Sequence, residues 1–465
     1  MLTLIFCATG SSSAADARKP NLIWIMADDL GYGDLGCYGQ KVITTPNLDR
    51  MAKEGMRFTH FYAGATVCAP SRSVLMTGQH HGQTRVRGNA GGIAQALRAE
   101  DTTVAKVLKD AGYRTALVGK WGLGDIGAAE SGLPRKQGFN QFFGYLNQGH
   151  AHNHFPDFLW RNEERVTLPN VVTHVGDKGA GYATKAVQFA DDLFADEAIK
   201  FVEENEKKPF FLYWCMVIPH ANNERTKALK NGAHVPDFGP YVDKDWPDPD
   251  RGQAAMISRL DGYVGRMLAL LQKDGLAENT LVIFTSDNGP HNESNHNLAR
   301  FNPSGPLTGI KRSLTDGGIR VPMIAWWPGK VKAGVESDHV ASFVDWMATA
   351  AELAGVMTPK GCDSISFVPT LLGKADQSKH EFMYWEFHEG GFKQAVLYQG
   401  RWKGIRIGSP DAPIALYDQQ SEIAEKTNVA AQHPEIVAKI EQYLKTARTA
   451  STDWEPRWTP AKKSK

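Results

Sequence analysis

The sequence is poor in cysteine. Its 465 residues hold five, Cys7, Cys37, Cys68, Cys215 and Cys362, with no paired spacing. That excludes a disulfide framework and a cysteine-based zinc motif. A chain of this length buries a large core and folds without disulfides. A long apolar run is also missing. No stretch reaches about 18 apolar residues, so no membrane-spanning helix is expected. Net charge is nearly absent: 52 Lys and Arg against 51 Asp and Glu leave +1. This removes the electrostatic case for a nucleic acid or anionic membrane partner. Any anion selectivity must therefore be local to a site. Internal repeats and low-complexity tracts are lacking too. The 42% hydrophobic and 22% charged residues fit a soluble globular protein.

The N-terminus reads as a processing segment. The apolar run Leu2 to Ala8 precedes the small residues Ser11 to Ala17, the pattern of a secretory signal cleaved near Ala15 or Ala17. A periplasmic or secreted protein is expected. The basic start of such a signal is missing, which places the true start further upstream if the reading holds. Cys7 makes a poor lipoprotein box, because Phe6 is too large just before it.

Beyond residue 20, strand and helix signals alternate. Leu22 to Met26, Thr115 to Val118, Phe210 to Ile218 and Leu281 to Thr285 are continuous apolar runs, as in strands buried on both faces. Between them, Thr45 to Gly55, Val104 to Gly112 and Leu193 to Glu204 carry helical signals, as does the stripe Leu260, Val264, Met267 and Leu271. This implies an α/β fold with a mostly parallel sheet flanked by helices. In such sheets ligands bind beyond the carboxyl ends of the strands. After Pro369 the texture changes. His380 to Phe387, Ala395 to Tyr398 and Trp402 to Ile407 read as short antiparallel strands, and Pro434 to Ala447 as a closing helix. The expected organisation is a signal segment 1–17, a catalytic domain 20–368, a smaller C-terminal α+β subdomain 369–450 and a mobile tail 451–465. Residues 145–190 and 221–250 are loop-rich, the usual material of substrate sites.

Two acidic pairs follow buried strands: Asp28 and Asp29 after Ala27, and Asp287 and Asn288 after Ser286. Either pair alone reads equally well as a cap or turn. Both pairs at the ends of core strands point to a hard divalent cation bound by oxygen, such as calcium. Zinc would prefer His or Cys ligands.

The segment Cys68-Ala69-Pro70-Ser71-Arg72-Ser73-Val74-Leu75-Met76-Thr77-Gly78 resembles the signature of the sulfatase family, C-x-P-S-R followed by L-x-T-G. Further similar strings run in order: Asp28 to Asp34, Gly119-Lys120-Trp121, Pro219-His220, Asp287 to His291, Gly309-Ile310-Lys311 and Gly317 to Pro322. The resemblance covers residues 20–445. It implies an alkaline-phosphatase-like fold and a formylglycine-dependent, arylsulfatase-like enzyme that hydrolyses sulfate monoesters. A transient maturation enzyme would oxidise Cys68 to formylglycine, whose hydrate is the nucleophile. One hydroxyl attacks sulfur; the other, once deprotonated, collapses to the aldehyde and expels sulfate. One calcium ion would bind Asp28, Asp29, Asp287, Asn288 and modified Cys68. Arg72, Lys120 and Lys311 would supply fixed positive charge, and His220 would protonate the leaving alcohol. The substrate would be a sulfated small molecule or, given the loop aromatics, a sulfated carbohydrate.

One position departs from the family string. G-K-W-H-L-G is usual, and this chain has Gly122 where the histidine belongs. If the segment 148–154 is extended, His150, His152 and His154 point to one side, and one of them fills that space. Alternatively these histidines, with His291, line the substrate pocket. Two other readings stay open: a phosphonate or phosphodiester hydrolase on the same fold, or a non-catalytic sulfate-binding relic. Two-metal relatives of the fold need extra His and Asp ligands, whereas Arg72, Lys120 and Lys311 favour a single metal.

Overall fold

The computed structural model of the chain describes residues 19–89 and 92–456. The expected signal segment 1–17 lies outside the described residues, as do residues 457–465 of the expected tail. Among the described residues, no helix is long and apolar enough to cross a membrane.

A sheet of ten strands forms the centre. In spatial order they are Val335–Ser337, Met56–Phe58, Met323–Trp326, Thr280–Ser286, Asn21–Ala27, Phe210–Cys215, Arg114–Lys120, Gln141–Tyr145, Phe158–Arg161 and Glu164–Thr167. The five strands from Thr280–Ser286 to Gln141–Tyr145 are mutually parallel. Antiparallel pairings extend the sheet on both flanks, and Val335–Ser337 joins Met56–Phe58 in parallel at one edge. The apolar runs explain the parallel centre. In Asn21–Ala27, residues Leu22, Trp24 and Met26 pack into one core layer, and Ile23, Ile25 and Ala27 into the other. Each side chain is fully buried, so the strand needs apolar residues on both faces.

Helices cover the two faces. Pro46–Glu54, Ala190–Glu204 and Asp248–Lys273 pack on the Ile23 side. Cys68–Thr77, Val104–Asp110 and Trp346–Leu353 pack on the Trp24 side. The sheet is thus a filled sandwich, and chemistry is confined to its edges and strand ends.

A second sheet of four antiparallel strands follows: Phe382–Glu386, Lys393–Tyr398, Trp402–Ile407 and Ala415–Asp418. The period-2 alternation gives it two apolar faces. Tyr384, Val396, Tyr398 and Leu416 meet Ile440 of the closing helix Pro434–Leu444. Trp385, Phe387, Leu397 and Ile405 pack on Tyr62, Val67, Leu314 and Ile319 of the main unit.

A buried ionic group fastens this subdomain. Lys403 Nζ donates to Asp316 Oδ1 at 2.7 Å and reaches Glu425 Oε1 at 3.4 Å. Arg320 also pairs with Asp316. Burial pushes the Glu425 carboxyl up to about 7, opposed by the Lys403 charge. Removing one partner from such a cluster strands the others without water. Lys403→Met is therefore expected to destabilise the full chain by about 3–5 kcal/mol in urea unfolding. A loss below about 1 kcal/mol would show that the subdomain docks by apolar contact alone.

Candidate active site

The strand ends converge because the register aligns them. Ala27 pairs with Ser286, and Met26 with Cys215, which in turn faces Gly119. The next residues, Asp28 and Asp29, Asp287 and Asn288, and Lys120, therefore leave the sheet together. Gly119 permits the closest approach. Its φ is +106°, and a Cβ there would sit 1.8 Å from the Cys215 carbonyl oxygen. The helix Cys68–Thr77 begins at the same edge. Ser71 Oγ ties it to the sheet by donating to the Asp287 carbonyl oxygen at 2.6 Å and accepting from Gly64 N–H.

Cys68 is buried at the first position of that helix, with Sγ 3.4 Å from Asp28 Oδ1. Burial, then the Asp28 charge, pushes its thiol well above the ordinary range. An unmodified Cys68 is thus held protonated, and a neutral thiol is a poor nucleophile.

Three cations pair with the carboxylates beside it. Arg72, fully buried, donates from Nη2 and Nε to Asp287 Oδ2 at 2.8 and 3.2 Å, and from Nη1 to the Lys120 carbonyl oxygen at 2.7 Å. Lys120 Nζ meets Asp28 Oδ2. Lys311 Nζ sits 2.8 Å from Asp29 Oδ2, 3.2 Å from Glu293 Oε2 and 3.1 Å from His220 Nε2. Burial raises the Asp287 carboxyl, as does the Asp28 charge. The Lys311 ammonium is held above its usual range: burial opposes the charge, but Asp29 and neighbouring anions outweigh it.

His220 is oriented by its own backbone neighbourhood. Its Nδ1 lies 2.7 Å from the Ala221 carbonyl oxygen and must donate there. Nε2 then accepts from Lys311 Nζ at 3.1 Å, with Asp29 Oδ2 at 3.4 Å. Burial, followed by the Lys311 and Lys120 charges, holds its pKa well below the usual imidazole value.

The donor set fits a hard cation. Ligand atoms of Asp28, Asp29, Cys68 and His220 lie within 4.8 Å of one another. Asp287 stands one step out: its Oδ1 accepts from Asp29 N–H at 3.1 Å and its Oδ2 is held by Arg72. Asn288 Nδ2 donates to Asp29 Oδ1 at 2.7 Å. Asn288 Oδ1, however, is buried and has no hydrogen-bond partner among the described residues. An acceptor oxygen left bare beside three carboxylates needs a donor or a cation, and carboxylate plus amide oxygen is calcium chemistry. Asp29 adds a second sign, since its φ is +65°, a conformation non-glycine residues hold mainly where something over-determines it.

The histidines of 148–154 do not share a side. Gln148–Ala151 is a helical turn, capped by the Asn147 side chain, which accepts from His150 N–H. Helical geometry replaces the expected alternation. His150 turns into the core against Phe158 and Tyr145, and burial lowers it to about 3. His154 contacts the carbonyl oxygens of His234 and His220, and burial lowers it to about 4. Of the three, His152 brings its ring against a site side chain. Its ring stacks on His220 at 5.0 Å, and Nδ1 contacts Glu224. His291 is buried, with Nε2 on the Pro219 carbonyl oxygen and Nδ1 accepting from Glu293 N–H. The space beside Gly122 holds the Gln148 amide instead of a histidine. The sequence motifs single out neither Glu293 nor Gln148. Glu293 follows His291 by two residues, a spacing that offered a cue; Gln148 offered none.

Comparisons with known proteins agree with this geometry. The family model described as Sulfatase matches residues 20–356, and the one described as N-sulphoglucosamine sulphohydrolase, C-terminal, matches 310–450. Human arylsulfatase A is 32% identical over 477 residues, covering 93% of this chain and 88% of its own length. The N-acetylgalactosamine-6-O-sulfatase of Bacteroides thetaiotaomicron is 30% identical over 507 residues, covering 93% and 94%. The crystal structure of Ps i-CgsB in complex with k-i-k-neocarrahexaose superposes with a TM-score of 0.77 at 28% identity, covering 95% of each chain.

Proposed function

We propose that this chain, which belongs to the sulfatase family and is a sulfuric ester hydrolase, cleaves sulfate monoesters on carbohydrate, using a nucleophile made by oxidising Cys68 to formylglycine and one calcium ion. The observation that carries the reading is the placement of Cys68. One buried sulfur sits beside a carboxylate at the meeting point of three strand ends, and three buried cations pair with the carboxylates there.

Each residue has a task in this reading. Asp28, Asp29, Asp287 and Asn288 Oδ1 would hold calcium. When bound, calcium lowers the pKa of the hydrate hydroxyl and offsets charge on the sulfate. Arg72 fixes the Asp287 carboxylate by two hydrogen bonds and keeps it from rotating away. Lys120 and Lys311 present ammonium groups that need no reorganisation when a sulfate group arrives. His220, tethered at Nδ1, presents Nε2 to the site and donates a proton to the leaving alcohol oxygen. The free enzyme holds His220 neutral; the negative charge of a bound sulfate ester favours its protonated form.

Carbohydrate as the substrate class rests on the relatives: one is named for N-acetylgalactosamine, and a solved structure holds a neocarrahexaose. The domain limits 20–368 and 369–450, the maturation enzyme and export by the segment 1–17 belong to the same proposal. A panel of aryl sulfate, phosphate and phosphonate esters tests it, with sulfate the preferred group by a wide margin. Preference for phosphonate would transfer the reading to that class.

Calcium has its own readout. Added calcium at about 100 times its Kd is expected to raise unfolding stability by about 2.7 kcal/mol. Asn288→Ala should weaken that response. Equal calcium stabilisation in both proteins would remove Asn288 from the ligand set.

A further inference from the structure

Gln148 has an unusual position. A Cβ built on Gly122 would lie 2.2 Å from its Nε2, so the amide occupies the volume a side chain at 122 would take. Gly122 itself has φ +82°. The amide nitrogen is shut off from solvent and has no hydrogen-bond partner among the described residues. Buried amide donors in native proteins are nearly always satisfied, and leaving one bare costs about 1–3 kcal/mol.

Its surroundings place it beside the 120–122 segment. Trp121 N–H and Gly122 N–H donate to the Tyr145 and Leu146 carbonyl oxygens, which sets the 120–122 segment beside the chain leading to Gln148. Two residues before Gly122, Lys120 reaches Asp28. Four residues after Gln148, His152 stacks on His220. The turn Gln148–Ala151 therefore lies between the segment 120–122, which carries Lys120, and His152, whose ring meets His220.

We infer that Gln148 is a substrate-binding residue, its Nε2–H donating to an oxygen of the sulfate group next to Lys120. This rests on the sulfatase reading of the same site. A neutral donor suits that place: Lys120 already balances Asp28, and another cation would have no carboxylate partner. Gly122 is then required, because any side chain there would displace the amide.

The test uses the full, matured chain and two variants, Gln148→Ala and the isosteric Gln148→Glu, with an aryl sulfate as substrate and inorganic sulfate as competitive inhibitor. A lost hydrogen bond to a charged group predicts a fall in kcat/KM of about tenfold to a hundredfold and a matching rise in the Ki of inorganic sulfate. Gln148→Glu should be the worse variant, since it replaces a donor with an anion facing an anion. Thermal unfolding near that of the parent in either variant shows that the fold survives. A purely structural role would move the unfolding temperature and leave the sulfate Ki unchanged; that result, or kcat/KM and Ki within twofold of the parent, overturns the assignment. A matured parent chain that cleaves no sulfate ester would instead overturn the functional reading beneath it.

Discussion

Replacing Cys68 with Ser is expected to cut steady-state turnover of a sulfate ester by about 10⁴-fold or more. Serine fits the site. It is close in size to cysteine, and its hydroxyl can donate to Asp28 Oδ1 as the thiol does. Stability should therefore change little. A serine hydroxyl can also attack sulfur. What it would lack is the second hydroxyl of the proposed formylglycine hydrate, whose collapse would expel sulfate. The expected signature is a single burst of released alcohol, near one equivalent per enzyme, followed by near silence. Turnover at the parent rate would show that the sulfur is not the precursor of the nucleophile. Absence of both burst and turnover in a folded protein would place the defect in attack rather than in elimination.

Lys311→Ala is expected to lower kcat/KM by about 10²–10³-fold. The ammonium contacts Asp29, Glu293 and His220 within 3.2 Å and is buried. Its loss would remove fixed positive charge from the proposed sulfate position. It also leaves Glu293, now held well below the usual carboxylate range chiefly by Lys311 and Arg312 against burial, with Arg312 as its main cation. The pH profile separates this from simple damage. His220 is depressed first by burial and second by the Lys311 charge. Removing a like charge favours the protonated imidazole, so the His220-controlled limb of the kcat/KM profile should move to higher pH. A loss of rate with an unmoved limb would mean that Lys311 does not sense His220 in the working enzyme.

The centre of the fold was legible because both faces of its strands are buried. Runs such as Leu22 to Met26 and Phe210 to Cys215 cannot be solvated strands. The flanks were harder to read. Phe158–Arg161 and Glu164–Thr167 form a hairpin at the sheet edge, yet the second strand is largely exposed and lacks apolar alternation. Only Asn162, at φ +57°, marks the turn. Ala415–Asp418 also went unread, as four residues carry too little pattern. Within the site, residues inside strings that follow core strands were legible, because the strand end fixes their place. The 148–154 segment was not. Its three histidines alternate on paper, but Asn147 caps a helical turn there, and the turn directs them to different neighbours. Gln148 carries no motif at all. Its place emerges only from the volume left empty by Gly122.

The proposed mechanism requires the buried sulfur of Cys68 to be a precursor and the mature side chain to be an aldehyde. The most direct measurement is mass spectrometry of the peptide spanning residue 68, from protein made with a formylglycine-generating enzyme and shown to cleave an aryl sulfate. The expected result is the mass lost when CH2–SH becomes CHO, in proportion to specific activity across preparations. Full activity from protein whose residue 68 is wholly unmodified cysteine would contradict it.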